Sequence, residues 1–194
     1  MRRTTEMMAV DERLIALIDE HPEVFEGYKI ELLRGDIVMM AGPDWVHNDI
    51  VELVRDQVPG DRWQRKTTQD IAIPGENSEP QPDLLVIERG AFEGPGRLVP
   101  AAAATLLVEV VSKTSALRDY HEKRSMYAAG RVPAYLIIDP FAAKCVLLTE
   151  PFGVGEEADY RTERTSKFGE PVPLDLMGVS LDTSGFRTLP GDPC

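Results

Sequence analysis

A mixed β-sheet covered by helices, an α/β arrangement of the α+β kind, is the fold this sequence predicts. Three observations carry the prediction. Short apolar runs rich in Val, Ile and Leu recur at 83–88, 105–112, 134–139 and 144–150. Two stretches with helical spacing, 45–58 and 115–129, lie among them. The order strand 105–112, helix 115–129, strand 134–139 is that of a parallel pair joined by a right-handed crossover.

Each element has its own warrant. Val10, Leu14, Leu17 and Ile18 have helical spacing over 9–20, and His21-Pro22 ends that helix. "YKIELLRGDIVMMAG" reads as a hairpin turning at Arg34-Gly35. Asp44 caps a helix over about 45–58, with Ile50, Leu53, Val54 and Val58 as its apolar stripe. Strands follow at 65–73, 83–88 and 105–112, separated by loops 74–82 and 89–101 that are rich in Pro, Gly, Asn and Ser. Thr114 or Ser115 caps the helix 115–129, which Gly130 and Pro133 terminate. Strands at 134–139 and 144–150 come next, then short ones near 158–165 and 172–176, with the last ten residues frayed. The strands before the crossover are expected to be antiparallel. No internal repeat or linker divides the chain. It therefore reads as a single domain, 1–194, with an N-terminal helical extension (1–24), a core (25–150) and an acidic C-terminal part (151–194).

Composition narrows the function. Of the 194 residues 43% are hydrophobic, enough for a substantial core. No apolar run approaches the roughly 20 residues that span a bilayer, and no signal-peptide core follows Arg2-Arg3, so the expected location is cytoplasmic. The two cysteines, Cys145 and Cys194, fit neither a disulfide framework nor a zinc site, and the three histidines are far apart. A net charge of −12 argues against a general nucleic-acid binder. The charge is uneven, however. Residues 113–149, which carry 3 acids and 6 bases, form the only net-positive block.

Glu109 is out of place in "TLLVEVVSK". A lone ionised carboxylate in a central strand costs several kcal/mol. It needs a lysine or arginine, a metal, or water at a sheet edge. Asp83, at the head of "DLLVIE", raises the same question. If 83–88 and 105–111 are neighbours, the two carboxylates converge, and two such oxygens with waters suit Mg²⁺. Lys113 would share a face with Glu109 if the strand ran that far. Lys123 lies beside the helical stripe of Leu117, Tyr120 and Tyr127, where it would present its ammonium at the apolar border.

The hairpin "YKIELLRGDIVMMAGP", a following histidine, the "PD" at Asp83, "VEVVSKTS" and "RDYHEKRSMYAAGRVPAYLIIDP" occur in that order. Together they resemble the Uma-two family of restriction-endonuclease-like proteins, formerly a domain of unknown function, within the PD-(D/E)XK nuclease superfamily. The resemblance covers about 25–150, and 108–140 is its most specific part. It implies a restriction-endonuclease-like core of helix, three strands, helix and strand, with an added N-terminal helix and hairpin. It implies that Asp83 and Glu109 bind Mg²⁺ or Mn²⁺. It also implies that Lys123 replaces the motif lysine, absent here because position 111 is Val. Glu31 and His47 match positions that line the site, and Gln69 is a weaker candidate.

The activity so implied is metal-dependent hydrolysis of DNA phosphodiesters. Lys123 would orient water or stabilise the transition state, and Lys113, Arg118, Arg124 and Arg131 would contact phosphates. A homodimer is one way to complete a narrow positive cleft on so acidic a chain. Three other readings compete. One is an idle nuclease fold that binds nucleic acid or a protein partner. Another is a paired-carboxylate glycosidase, disfavoured by an aromatic content of 7%. The last is a structural domain in which Glu109 is merely ion-paired.

Overall fold

The computed structural model describes residue 17 and residues 20–190. The helix expected over 9–20 lies outside the described residues except for Leu17 and Glu20, which are helical and exposed. β1 (Tyr28–Leu33) and β2 (Asp36–Ala41) pair antiparallel. Arg34 and Gly35 turn between them at φ 49° and 87°. A two-residue turn with both φ positive matches the twist of its strands, and Gly35 supplies the harder of the two conformations without strain. α1 (Trp45–Gln57) begins as the sequence predicts, with the Asp44 carboxylate accepting from the His47 N–H at 2.9 Å.

The strand expected over 65–73 is not continuous. It divides into β3 (Trp63–Lys66) and β4 (Ile71–Ala72). Thr68, at φ 54°, bends the chain out of the sheet between them. β5 (Leu84–Glu88) follows, and β6 (Val99–Pro100) pairs with β4 in a separate two-stranded sheet. β7 (Leu106–Val110) leads into the crossover helix, which enters α2 (Lys123–Ala129) through a π-helical turn (Arg118–Glu122). Then come β8 (Ala134–Asp139), β9 (Lys144–Phe152), β10 (Asp159–Lys167) and a short hairpin, β11 (Val172–Leu174) with β12 (Val179–Leu181).

Six strands form the main sheet in the order β10-β9-β8-β7-β5-β3. β7 and β8 are parallel, as the strand–helix–strand pattern requires, and the other neighbours are antiparallel. β7 and β8 are buried along their whole length, which explains their unbroken apolar character. Alternation sends Leu106, Val108 and Val110 to one face, with Ile50 and Val54 of α1. Leu107 and Val111 go to the other, with Met126 and Tyr127 of α2. Glu109 therefore points toward α2.

The π turn changes which helix residues face inward. A π turn holds more residues per turn than an α-helix, so it rotates the residues before it relative to those after it. The expected stripe of Leu117, Tyr120 and Tyr127 is thus corrected. Leu117 is 79% exposed, while Asp119, Lys123 and Tyr127 are buried. Lys123 does not sit at an apolar border but wholly inside.

The β1–β2 hairpin stands outside the main sheet and is tied to the body at several points. Leu33 is fully buried in the α2-side core. The Arg34 guanidinium donates to Glu76 at 3.1 Å and to Ser125 Oγ at 2.8 Å. The Glu79 N–H donates to the Leu32 carbonyl at 2.7 Å. Replacing Leu33 by Ala should cost about 2–5 kcal/mol, measured by urea denaturation. A loss below about 0.5 kcal/mol, the range of ordinary surface changes, would mean the hairpin is not anchored there.

Candidate active site

The register of β5 and β7 brings the two anomalous carboxylates together. Leu84 pairs with Val108 and Leu85 with Leu107. Continuing that register by one residue sets Asp83 opposite Glu109. The Val110 N–H closes this end by donating to Asp83 Oδ2 at 2.8 Å. β1 lies over the same spot and adds Lys29 and Glu31 from one face, since they alternate by two along the strand. α1 contributes His47 and α2 contributes Lys123.

The result is a compact charged cluster. Lys123 Nζ donates to Glu109 Oε1 at 2.8 Å and to Glu31 Oε1 at 2.9 Å. The Tyr127 hydroxyl donates to Glu109 Oε1 at 2.7 Å, and the Gln81 N–H donates to Glu31 Oε1 at 2.7 Å. Lys29 Nζ lies 3.1 Å from Asp83 Oδ1 and 3.7 Å from both Glu31 Oε1 and Glu109 Oε2. His47 Nε2 sits 2.9 Å from Asp83 Oδ2. Glu109, Glu31 and Lys123 are almost completely buried, whereas the Lys29 side chain retains 19% exposure.

These groups set one another's proton affinities. Burial opposes the charge on Lys29 and Lys123, but the carboxylates, Glu109 foremost, outweigh it and hold both ammoniums above the ordinary lysine value. Burial also opposes ionisation of Asp83, yet Lys29 and His47 outweigh it and hold its carboxyl well below the usual range. Glu31 is lowered against its burial by Lys123 and Lys29. At Glu109 burial dominates and pushes the carboxyl up to about 8. Glu109 is thus the first of the three to take up a proton as pH falls. Burial would lower His47, but its hydrogen bond to Asp83 prevails and raises it.

The expected catalytic residues Asp83, Glu109, Lys123, Glu31 and His47 are all in this cluster, whereas Gln69 and the expected phosphate-contacting residues Lys113, Arg124 and Arg131 are not. Gln69 lies in the bend after β3, where its amide donates to the main-chain carbonyls of Asp70 and Arg97. Lys113 lies in a turn past the end of β7, not on the strand with Glu109. Arg124 is held by Asp159 at 2.6 Å and Glu163 at 2.8 Å, and Arg131 donates to the Pro151 carbonyl. Val111, where the motif lysine is missing, is a buried core residue.

Sequence reasoning missed Lys29, Asp119 and the hydroxyl of Tyr127. Lys29 was legible, since Lys29 and Glu31 share one face of "YKIELL" with Leu33. Asp119 is buried, donor-bonded by Ser115 Oγ and pushed up to about 6 by burial. Only the π turn puts it there, and no spacing signals that.

The donor set suits a hard cation. Three carboxylates surround the Lys29 ammonium, and Glu31 Oε2 is buried without a hydrogen-bond partner. Two carboxylates completed by water are a normal Mg²⁺ environment. Among the described residues no group of three or more His, Cys, Asp or Glu side chains is arranged as a metal site. The acids are spaced about ammoniums instead.

Two outcomes follow. Lys123→Met removes the nearest cation from Glu31 and Glu109 and should cost about 3–5 kcal/mol by urea denaturation. Loss of less than about 1 kcal/mol, a surface-pair value, would contradict the burial of this pair. The second concerns pH. The folded state holds a proton on Glu109 that the unfolded chain has released, so stability falls as pH rises from about 4.5 toward about 8. His47, also raised, adds stability that is full below its unfolded value and is lost as pH climbs through the folded one. Glu109→Gln should flatten the urea midpoint over this window, by at most about 1.4 kcal/mol per pH unit. An unchanged slope would place the titration elsewhere.

Comparison with known proteins agrees with the geometry. A family model, Uma2, described as "Putative restriction endonuclease", matches residues 16–184. A crystal structure described as a putative nuclease belonging to DUF820, from Anabaena variabilis, superposes with a TM-score of 0.61. The identity is 12%, and the match covers 81% of this chain and 88% of that one, a likeness of fold. No curated protein matches the chain. Among the described residues no helix is long and apolar enough to cross a membrane.

Proposed function

The chain belongs to the Uma2 family, with its restriction-endonuclease-like fold, and we propose that it hydrolyses phosphodiester bonds of DNA with a divalent ion held by Asp83 and Glu109. The observation that carries this reading is the Lys29 ammonium, a cation within reach of Asp83, Glu109 and Glu31 at once. A place that holds one cation among three carboxylates favours another. Mg²⁺ or Mn²⁺ there would lower the pKa of a bound water and polarise the phosphoryl oxygen.

The chain's own residues have separable tasks. His47 and the Val110 N–H hold the Asp83 carboxylate through Oδ2, which leaves Oδ1 turned toward Lys29. Tyr127 and Lys123 fix Glu109 through Oε1, which leaves Oε2 turned toward Lys29. Lys123 is buried and fully engaged by two carboxylates, so its part is to hold Glu31 and Glu109 in place. Lys29 lines the cleft that opens beside Asp83 and His47, and it is the lysine able to meet a substrate phosphate. The division assigns charge stabilisation to Lys29 and positioning to Lys123. The intact acid–lysine cluster favours this enzyme over an idle relative that only binds.

Asp83→Asn and Glu109→Gln should each reduce Mn²⁺-dependent cleavage of DNA by at least about 100-fold, as loss of a principal electrostatic group does, with far-UV circular dichroism unchanged. Lys29→Met should lower kcat by a similar factor. Wild-type protein that binds no divalent ion and leaves plasmid and oligonucleotide DNA intact would overturn the reading.

A further inference from the structure

Substrate class is the point on which the surface departs from expectation. A duplex-binding nuclease grips two phosphate backbones with a track of lysines and arginines. Here arginine after arginine is already committed to a carboxylate. Arg34, Arg62, Arg97, Arg124 and Arg187 are each ion-paired with an acid of this chain. The net charge of −12 repels a polyanion over the rest of the surface.

The acids themselves are deep. Glu109 is 2% exposed, so a phosphate held at the surface of an intact helix lies far from it. The way in is a cleft of about 390 Å³ bounded by the hairpin, the start of α1 and the bend after β3. That is a volume for a small ligand, on the scale of one nucleotide, not for a duplex. Its wall carries Lys29, His47 and Asp83, and at its rim Tyr28 is 51% exposed. Asn48, Thr67 and Thr68 add amide and hydroxyl groups to the same wall. An exposed ring on which a base can stack, beside a cationic side chain such as Lys29, is how proteins hold unpaired nucleotides.

We propose that this cleft admits an unpaired nucleotide of single-stranded DNA, stacked on Tyr28, so that its phosphate reaches the Asp83–Glu109 pair. The inference rests on the nuclease reading and narrows it. Base stacking on Tyr28 adds to the charge of Lys29 in supplying the grip.

The test uses one fluorescein-labelled DNA sequence as a single strand and as a blunt duplex. With Mn²⁺, wild-type protein should cleave the single strand at least about ten times more efficiently than the duplex. Tyr28→Ala should raise KM about ten-fold, the scale of one lost stacking contact, with a smaller change in kcat, and Tyr28→Phe should restore KM. Preference for duplex, or an unchanged KM in Tyr28→Ala, would overturn the proposal. A binding arm separates this from the nuclease reading. Anisotropy with Asp83→Asn should show tighter binding of the single strand, lost on adding Tyr28→Ala. If wild-type protein cleaves nothing but this pattern of binding holds, the nuclease reading falls and the nucleotide cleft stands. If the binding is indifferent to strandedness or to Tyr28, the cleft proposal falls whatever the cleavage result.

Discussion

The ammoniums of Lys123, buried, and Lys29, half-buried, hold the carboxylates of Glu31, Glu109 and Asp83, and the architecture around the sheet end depends on that balance. Lys123 reaches from α2 to Glu109 on β7 and Glu31 on β1. Lys29 reaches from β1 to Asp83 at the head of β5. Four segments distant in sequence thus meet through charge. Each acid alone would be too costly to bury, and each lysine likewise. Together, with Tyr127, Gln81 and Val110 donating to the acids, most of the polar atoms are satisfied. Such a cluster contributes less to net stability than an apolar core of equal volume.

The cluster is rigidly held on one side and open on the other. The rigid side is α2, where Lys123 and Tyr127 are fully enclosed and Glu109 Oε1 receives two donors. The open side is the hairpin, which lies outside the six-stranded sheet and carries Lys29, the most exposed charge of the set. The π turn belongs to the rigid side. By shifting the phase of the helix it buries Asp119 on the side of Lys123 and leaves Leu117 exposed.

Much of this was legible in the sequence because it follows from local pattern. Arg34-Gly35 fixes the hairpin, Asp44 fixes the start of α1, and the apolar runs at 83–88, 105–112 and 134–139 fix the central strands. Glu109 and Asp83 stood out because their charge contradicts the runs they occupy. What escaped depends on phase or on tertiary direction. The π turn inverted the expected exposure of Leu117 and Asp119, which no helical wheel anticipates. Thr68 broke a strand that propensity would continue. Lys29 escaped because its strand lies at the surface, where an alternating lysine usually faces water. Arg124 looked available to a phosphate until β10 returned with Asp159 and Glu163 beside it.

The account comes down to whether a divalent ion can take the place of the Lys29 ammonium. A crystal soaked in Mn²⁺, with diffraction recorded at the manganese absorption edge, tests this directly. The account predicts an anomalous peak between the Asp83 and Glu109 carboxylates, with Lys29 Nζ displaced toward the cleft and Lys123 unmoved. Lys29 still seated among the three acids, with no anomalous density beside them at high Mn²⁺, would contradict it.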